Sequence, residues 1–180
     1  TLAGFSGDRF RRVVMDADAL TLANPPYGPD TPRLARYPTP PLQTGIARGR
    51  LFGGNLTVLA SMVGTPYLPS FDGTILFVED VGEAIYRIDR MLTQMAQAGQ
   101  LQDIAGFVFG ACNRCDHDSG ASEGFTLEEV VRQHIEPLGV PAYLGATIGH
   151  LGPKLTVPIG AEAEIDAASG TLRLLAPAVR

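Results

Sequence analysis

The residues best equipped for proton transfer lie where the sequence has cleared the backbone around them. His150 sits in GATIGHLGPKLTVPIG, residues 145–160, directly after Gly149 and two places before Gly152. Glycine next to a reactive side chain marks a sharp turn or a close approach by another group. An imidazole titrates near neutrality, ordinarily at about 6.5, and serves as a base once a second group fixes its tautomer. Carboxylates for that task stand in FVEDVGE, residues 77–83: Glu79, Asp80 and Glu83. Asp80 and Glu83, three apart, predict an N-terminal cap for the helix that follows. Glu79 is left over, on the same strand face as Ile75 and Phe77, where an unpaired carboxylate is unfavourable. Two readings stand side by side. In one, all three acids cap the helix and His150 is a plain turn residue; in the other, Glu79 backs His150 as two-thirds of a catalytic triad.

The remaining candidates are weaker. Of the three histidines, His134 lies on the apolar stripe of Leu127, Val130 and Val131 and reads as a helix or core residue, while His117 sits in a polar loop, ACNRCDHDSGASEGF. In that loop Cys112, Cys115, His117 and Asp116 are competent zinc ligands, but one Cys-x-x-Cys with an adjacent Asp-His is a poor match to structural zinc spacings. A redox Cys-x-x-Cys usually precedes a helix directly, whereas polar loop follows here. The two cysteines therefore read as bare loop residues, without metal or cofactor. No serine is placed as a nucleophile: Ser6 in GFSGD precedes a helix but follows no strand, and a nucleophile elbow requires one.

The elements that must position these groups are legible from periodicity. Residues 1–19 hold one helical pattern, in the stretch GDRFRRVVMDADAL that ends at Leu20. Seven of the 14 prolines then fall between Thr21 and Gln43, which predicts an extended connector. IARGRLF reads as a strand, and GGNLTVLASMVGTP as a helix with Asn55 as N-cap, Leu56, Leu59, Ala60 and Val63 on one face, and Gly64 as its stop. GTILFVED suits a buried strand. GEAIYRIDRMLTQMAQAG continues as a helix with Ile85, Ile88, Leu92 and Met95 inward. AGFVFG is a third strand, and a helix opened by the capping pair Thr126 and Glu129 leads to a fourth, VPAYLG. LTVPIG, AEAEID and TLRLLA read as three more, the last two as a hairpin through AASG. Alternating strands and helices with antiparallel strands at the end predict an α/β fold with a mixed sheet.

Composition sets the remaining bounds. With 180 residues the chain suffices for one well-buried core, and 45% apolar with 18% charged residues is ordinary for a globular protein. A net charge of −5 gives no footprint for nucleic acid, and scattered charges disfavour an anionic membrane surface. No apolar run long enough to span a bilayer is present. Two cysteines cannot build a disulfide framework, which makes the cytoplasm the expected compartment. The first residue, Thr1, reads as the start of a processed or truncated product.

Taken in order, GRLFGGNLTVLASMVGTPYLP, GTILFVEDVGEAIYRIDRMLTQM, GFVFG and GATIGHLGPKLTVPIGAEAEID resemble the C-terminal domain of the LD-carboxypeptidases, a serine peptidase family that includes the microcin C immunity peptidases. The resemblance covers about residues 46–175. It implies a swivelling β/β/α-type domain at 46–180, preceded at 1–45 by the helix and Pro-rich connector. It also implies a Ser-Glu-His triad in which the glutamate falls on Glu79 and the histidine on His150, with the serine on a separate N-terminal domain in a Gly-x-Ser-Asp-like turn. No such turn occurs in these 180 residues. The implied activity is removal of the terminal D-alanine from murein tetrapeptides during cell-wall recycling in the cytoplasm, without metal, by a protein that commonly dimerises. A microcin-type amidase acting on peptidyl nucleotides, or a non-catalytic ligand-binding or oligomerisation module, are the alternatives.

Overall fold

The computed structural model describes residues 2–26, 39–115 and 124–179. In chain order the elements are α1 (Leu2–Val14), β1 (Thr21–Leu22), β2 (Pro41–Gln43), β3 (Ile46–Asn55), α2 (Leu56–Met62), β4 (Thr74–Glu79), α3 (Ile85–Gln97), β5 (Gly106–Gly110), α4 (Leu127–Ile135), β6 (Ala142–Ala146), β7 (Glu162–Asp166) and β8 (Thr171–Leu174). All eight strands form one sheet in the order β1-β8-β7-β3-β4-β5-β6-β2. Its centre, β3 to β6, is parallel, and β7, β8, β1 and β2 join antiparallel. The mixed α/β sheet expected from the sequence is thus the observed fold.

The central strands are buried along their whole length: every residue of β4 and β5 is enclosed. That explains their unbroken apolar runs, since a parallel strand covered on both faces has no solvent side on which to alternate. One face carries α2, α3 and α4. Ile85, Ile88, Met91, Leu92 and Met95 of α3 are buried at helical spacing and meet Leu56, Leu59, Val130 and Val131 over Leu76, Phe107 and Phe109. The other face is covered by α1, through Val13 and Phe5, and by the chain after β6, through Ile148 and Leu155.

Three local expectations differ from the structure. LTVPIG is not a strand. Its peptide groups bond to scattered partners, Leu155 N–H to Thr147 O at 2.7 Å and Gly160 N–H to Leu51 O at 2.7 Å, as it crosses the sheet face. The Pro-rich connector is not merely draped: its ends form β1 and β2, which close the two opposite edges of the sheet. Pro41 is tolerated because it opens an edge strand, where a missing N–H breaks no internal ladder. Residues 27–38 lie outside the described residues. Asp80 and Glu83 do not cap α3, whose N-cap is Ala84 without a side-chain bond. Glu83 instead faces Arg87 at 3.6 Å, and Asp80 serves α2.

Candidate active site

The parallel strands β3, β4, β5 and β6 end together, and their carboxyl ends carry Asn55, Glu79, Gly110 and Ala146. Open α/β sheets place their reactive groups at this edge. Glu79, the last residue of β4, is 6% exposed. Its Oε2 lies 2.8 Å from His150 Nδ1, and its Oε1 accepts from Asn55 Nδ2 at 3.4 Å. An ionised carboxylate can only accept, so in that state the proton of this bond belongs to Nδ1, and Nε2 points away from the acid. The imidazole is 57% exposed while its partner carboxylate is 8% exposed. A buried carboxylate thus stands behind an imidazole that is open to solvent.

The glycine before His150 is explained by the carboxylate. Gly149 adopts φ 104°, and a Cβ added there would lie 2.2 Å from Glu79 Oε2 and 2.8 Å from Glu79 Cβ. Gly152 has no such obligation, since nothing lies within 4 Å of a Cβ at that position. Of the two glycines flanking the histidine, one makes room for the acid and the other only turns the loop.

Several residues to which the sequence reading gave another role, or none, hold this arrangement. Asp80, 2% exposed, accepts from Thr57 N–H and Thr57 Oγ1, both at 2.9 Å, from Asn55 Nδ2 at 3.1 Å and from its neighbour Val81 N–H at 2.9 Å. It caps α2 across the sheet and fixes Asn55, which in turn touches Glu79. Asn55 also caps α2 itself, its Oδ1 accepting from Val58 N–H at 3.1 Å, as its place before the apolar stripe predicts. The base of the histidine loop is clamped by Asn24, whose Nδ2 donates to Gly145 O and whose Oδ1 accepts Thr147 N–H, both at 2.8 Å. Beyond the loop, Ser6 Oγ accepts Lys154 N–H at 2.9 Å, so this serine packs as a helix residue. Asn24 and Asp80 are short polar residues at element ends, the one legible signal, but their partners lie across the fold.

The other candidates separate from the site. His134 Nε2 lies 2.7 Å from Asp89 Oδ1 and ties α4 to α3. Cys112 and Cys115 are not bare thiols: they are joined in a disulfide. Asp116 and His117 lie outside the described residues. Among the described residues no group of three His, Cys, Asp or Glu side chains could hold a metal ion, and no helix is long and apolar enough to cross a membrane.

An exposed imidazole braced by a buried carboxylate at the carboxyl edge of a parallel sheet is how an α/β hydrolytic enzyme holds a general base. The sequence relationships agree with that class. The LD-carboxypeptidase C-terminal domain family matches residues 48–165, and the chain belongs to this family of peptide-cleaving hydrolases. It is 42% identical over 133 residues to a putative carboxypeptidase of Synechocystis sp., covering 74% of this chain and 44% of that protein. It is 40% identical over 134 residues to the probable murein peptide carboxypeptidase of Bacillus subtilis, covering 74% and 42%. Among solved structures, the muramoyltetrapeptide carboxypeptidase of Oxalobacter formigenes matches with a TM-score of 0.73 and 29% identity, covering 94% of this chain and 53% of that one. The chain thus spans about half the length of the relatives it matches.

Proposed function

We propose that this chain is the base-bearing half of a cytoplasmic serine LD-carboxypeptidase that removes the terminal D-alanine from murein tetrapeptides. The observation that carries the reading is the 2.8 Å contact between Glu79 Oε2 and His150 Nδ1, at the two positions that correspond to the family's glutamate and histidine. A serine on a second domain faces His150. Nε2 removes the serine proton, the alkoxide adds to the scissile carbonyl, and the same proton passes to the departing D-alanine amine. Water, activated by His150 in turn, hydrolyses the acyl-enzyme. Glu79 holds the tautomer and stabilises the imidazolium in both steps. The printed names of the Bacillus and Oxalobacter proteins, a murein peptide and a muramoyltetrapeptide carboxypeptidase, support the substrate class. A homodimer is part of the same reading.

D-alanine release from murein tetrapeptide tests it. The protein carrying both domains should turn over, and its His150→Ala form should lose about 10⁴-fold or more of kcat, because triad members act as a unit. Residues 1–180 alone, holding two of the three groups, should be inert. Near-normal turnover by either the His150→Ala enzyme or the isolated chain would exclude the assignment.

A further inference from the structure

The described residues hold one redox-active group that this chemistry does not use, the disulfide between Cys112 and Cys115. It begins two residues beyond Gly110, the end of β5, which is seated directly on the site. A Cβ on Gly110 would meet Ile148 O at 2.7 Å and Glu79 Cβ at 3.0 Å. Ala111 N–H donates to Ala146 O at 2.8 Å, at the root of the histidine loop. Cys112 follows, 9% exposed, in the core under the helices. Between the two cysteines stands Asn113. Its carbonyl accepts Gly82 N–H at 2.9 Å, in the turn after Glu79, and its Nδ2 donates to His150 O at 3.3 Å. Asn113 therefore joins the segment that follows the acid to the residue that carries the base.

The loop closed by the disulfide has a conformation that needs holding. Arg114 has φ 57°, in the left-handed region that a residue with a Cβ adopts only when its surroundings impose it. The cross-link between residues 112 and 115 supplies that constraint around Asn113.

We propose that the Cys112–Cys115 disulfide is a redox-sensitive fastener of the histidine loop: it holds Asn113 as a positioning residue for His150, and a dithiol reductant releases it and slows the enzyme. The displacement of His150 stands on the geometry alone, whereas the loss of rate rests on the hydrolase reading above. A thiolate of the reductant attacks the sulfur of Cys115, the less buried of the two. The S–S bond breaks and Cys112 leaves as a thiolate. The second thiol of the reductant then displaces Cys115 from the mixed disulfide, so the reductant is oxidised to its own disulfide while both cysteines take up protons. With the cross-link gone, Arg114 relaxes toward negative φ and the Asn113 amide swings off the His150 carbonyl. In a cytoplasmic protein a disulfide of this kind belongs to the transient, redox-sensing sort.

The test compares oxidised protein with protein treated with dithiothreitol, the free thiols being counted in each. In the two-domain enzyme, reduction should lower kcat about fivefold, the effect of one side-chain hydrogen bond, with KM changed by less than about twofold. Asn113→Ala should show the same loss in both redox states, and Cys112→Ser with Cys115→Ser should match the reduced wild type in either buffer. In residues 1–180, reduction should shift the His150 ring resonances in NMR spectra. Two free thiols under oxidising conditions, or unmoved His150 resonances after full reduction, would overturn the proposal. Equal kcat in the two states would do the same. If the resonances move but no form cleaves tetrapeptide, the fastener stands and the hydrolase reading falls. Wild-type reduction decides the matter even where the doubly substituted protein fails to fold.

Discussion

Replacing Gly149 by alanine probes the Glu79–His150 contact without substituting either member. The added Cβ would sit 2.2 Å from Glu79 Oε2, and that contact must open by at least about 1 Å to reach ordinary van der Waals separation. Either the carboxylate or the loop carrying His150 gives way, and the 2.8 Å bond to Nδ1 is lost or bent. A misplacement of about 1 Å at a reacting group reduces rate on the order of 10²-fold. The positive φ of 104° adds roughly 1–3 kcal/mol of backbone strain, or a fall in Tm of several degrees, since about 1 kcal/mol corresponds to roughly 2–4 °C in a protein of this size. The assay is D-alanine release by the two-domain enzyme, with thermal unfolding of each variant alongside. Gly152→Ala is the matched control: its Cβ meets nothing within 4 Å, so kcat and Tm should stay near wild type. The loss in Gly149→Ala should fall on kcat rather than KM, because in the proposed mechanism the pair acts on the transition state. A Gly149→Ala enzyme within about threefold of wild-type kcat would refute the claim that this glycine exists to admit the carboxylate.

Two further outcomes follow from the surrounding bonds. Asp80→Ala strips the partner from Thr57 N–H, Thr57 Oγ1, Asn55 Nδ2 and Val81 N–H, in bonds that are only part-buried; losing these bonds to a carboxylate should lower stability by about 2 kcal/mol, read as a lower Tm of residues 1–180. Glu164 has its pKa held below the ordinary glutamate range, first by its hydrogen bond with Arg48 and then by Arg173. Its stabilising contribution is therefore present above about pH 4.3, the ordinary value, and is lost as pH falls through the lowered folded value. Glu164→Gln should accordingly reduce Tm at neutral pH and match wild type in strong acid; a Tm difference that persists unchanged in acid would contradict the ion pairing.

What could be read from the sequence was local. Asn55 before an apolar stripe, the Thr126 and Glu129 capping box, and the β7–β8 hairpin each bond within a few residues, and each stands where the pattern places it. Glu79 and His150 were legible as a surplus acid and a glycine-flanked base at strand ends, and their pairing as one of two readings, which the resemblance then favoured. Asp80 shows where local reading fails. A carboxylate three residues before Glu83 has the spacing of a cap for the next helix, yet parallel pairing of β3 with β4 brings Asn55 opposite Glu79 and delivers Asp80 to α2. The cysteine pair was misread for a related reason: three residues of spacing permit either thiols or a cross-link, and only backbone geometry decides. LTVPIG has the composition of a strand, but its peptide groups bond to Thr147 and Leu51 singly rather than along a ladder.

The occupancy of both sheet edges by β1 and β2 bears on how the chain comes to be assembled during synthesis. Thr21 pairs with Arg173, and Pro41 with Tyr143, so each closing strand leaves the ribosome long before the strand it covers. When β6 and β8 emerge, their outer hydrogen-bonding rows meet a partner already tethered to the same molecule. Bare edges are the sites at which nascent sheets join those of neighbouring chains. By setting both closing strands early in the sequence, the protein gives each late strand an intramolecular partner ahead of any neighbour.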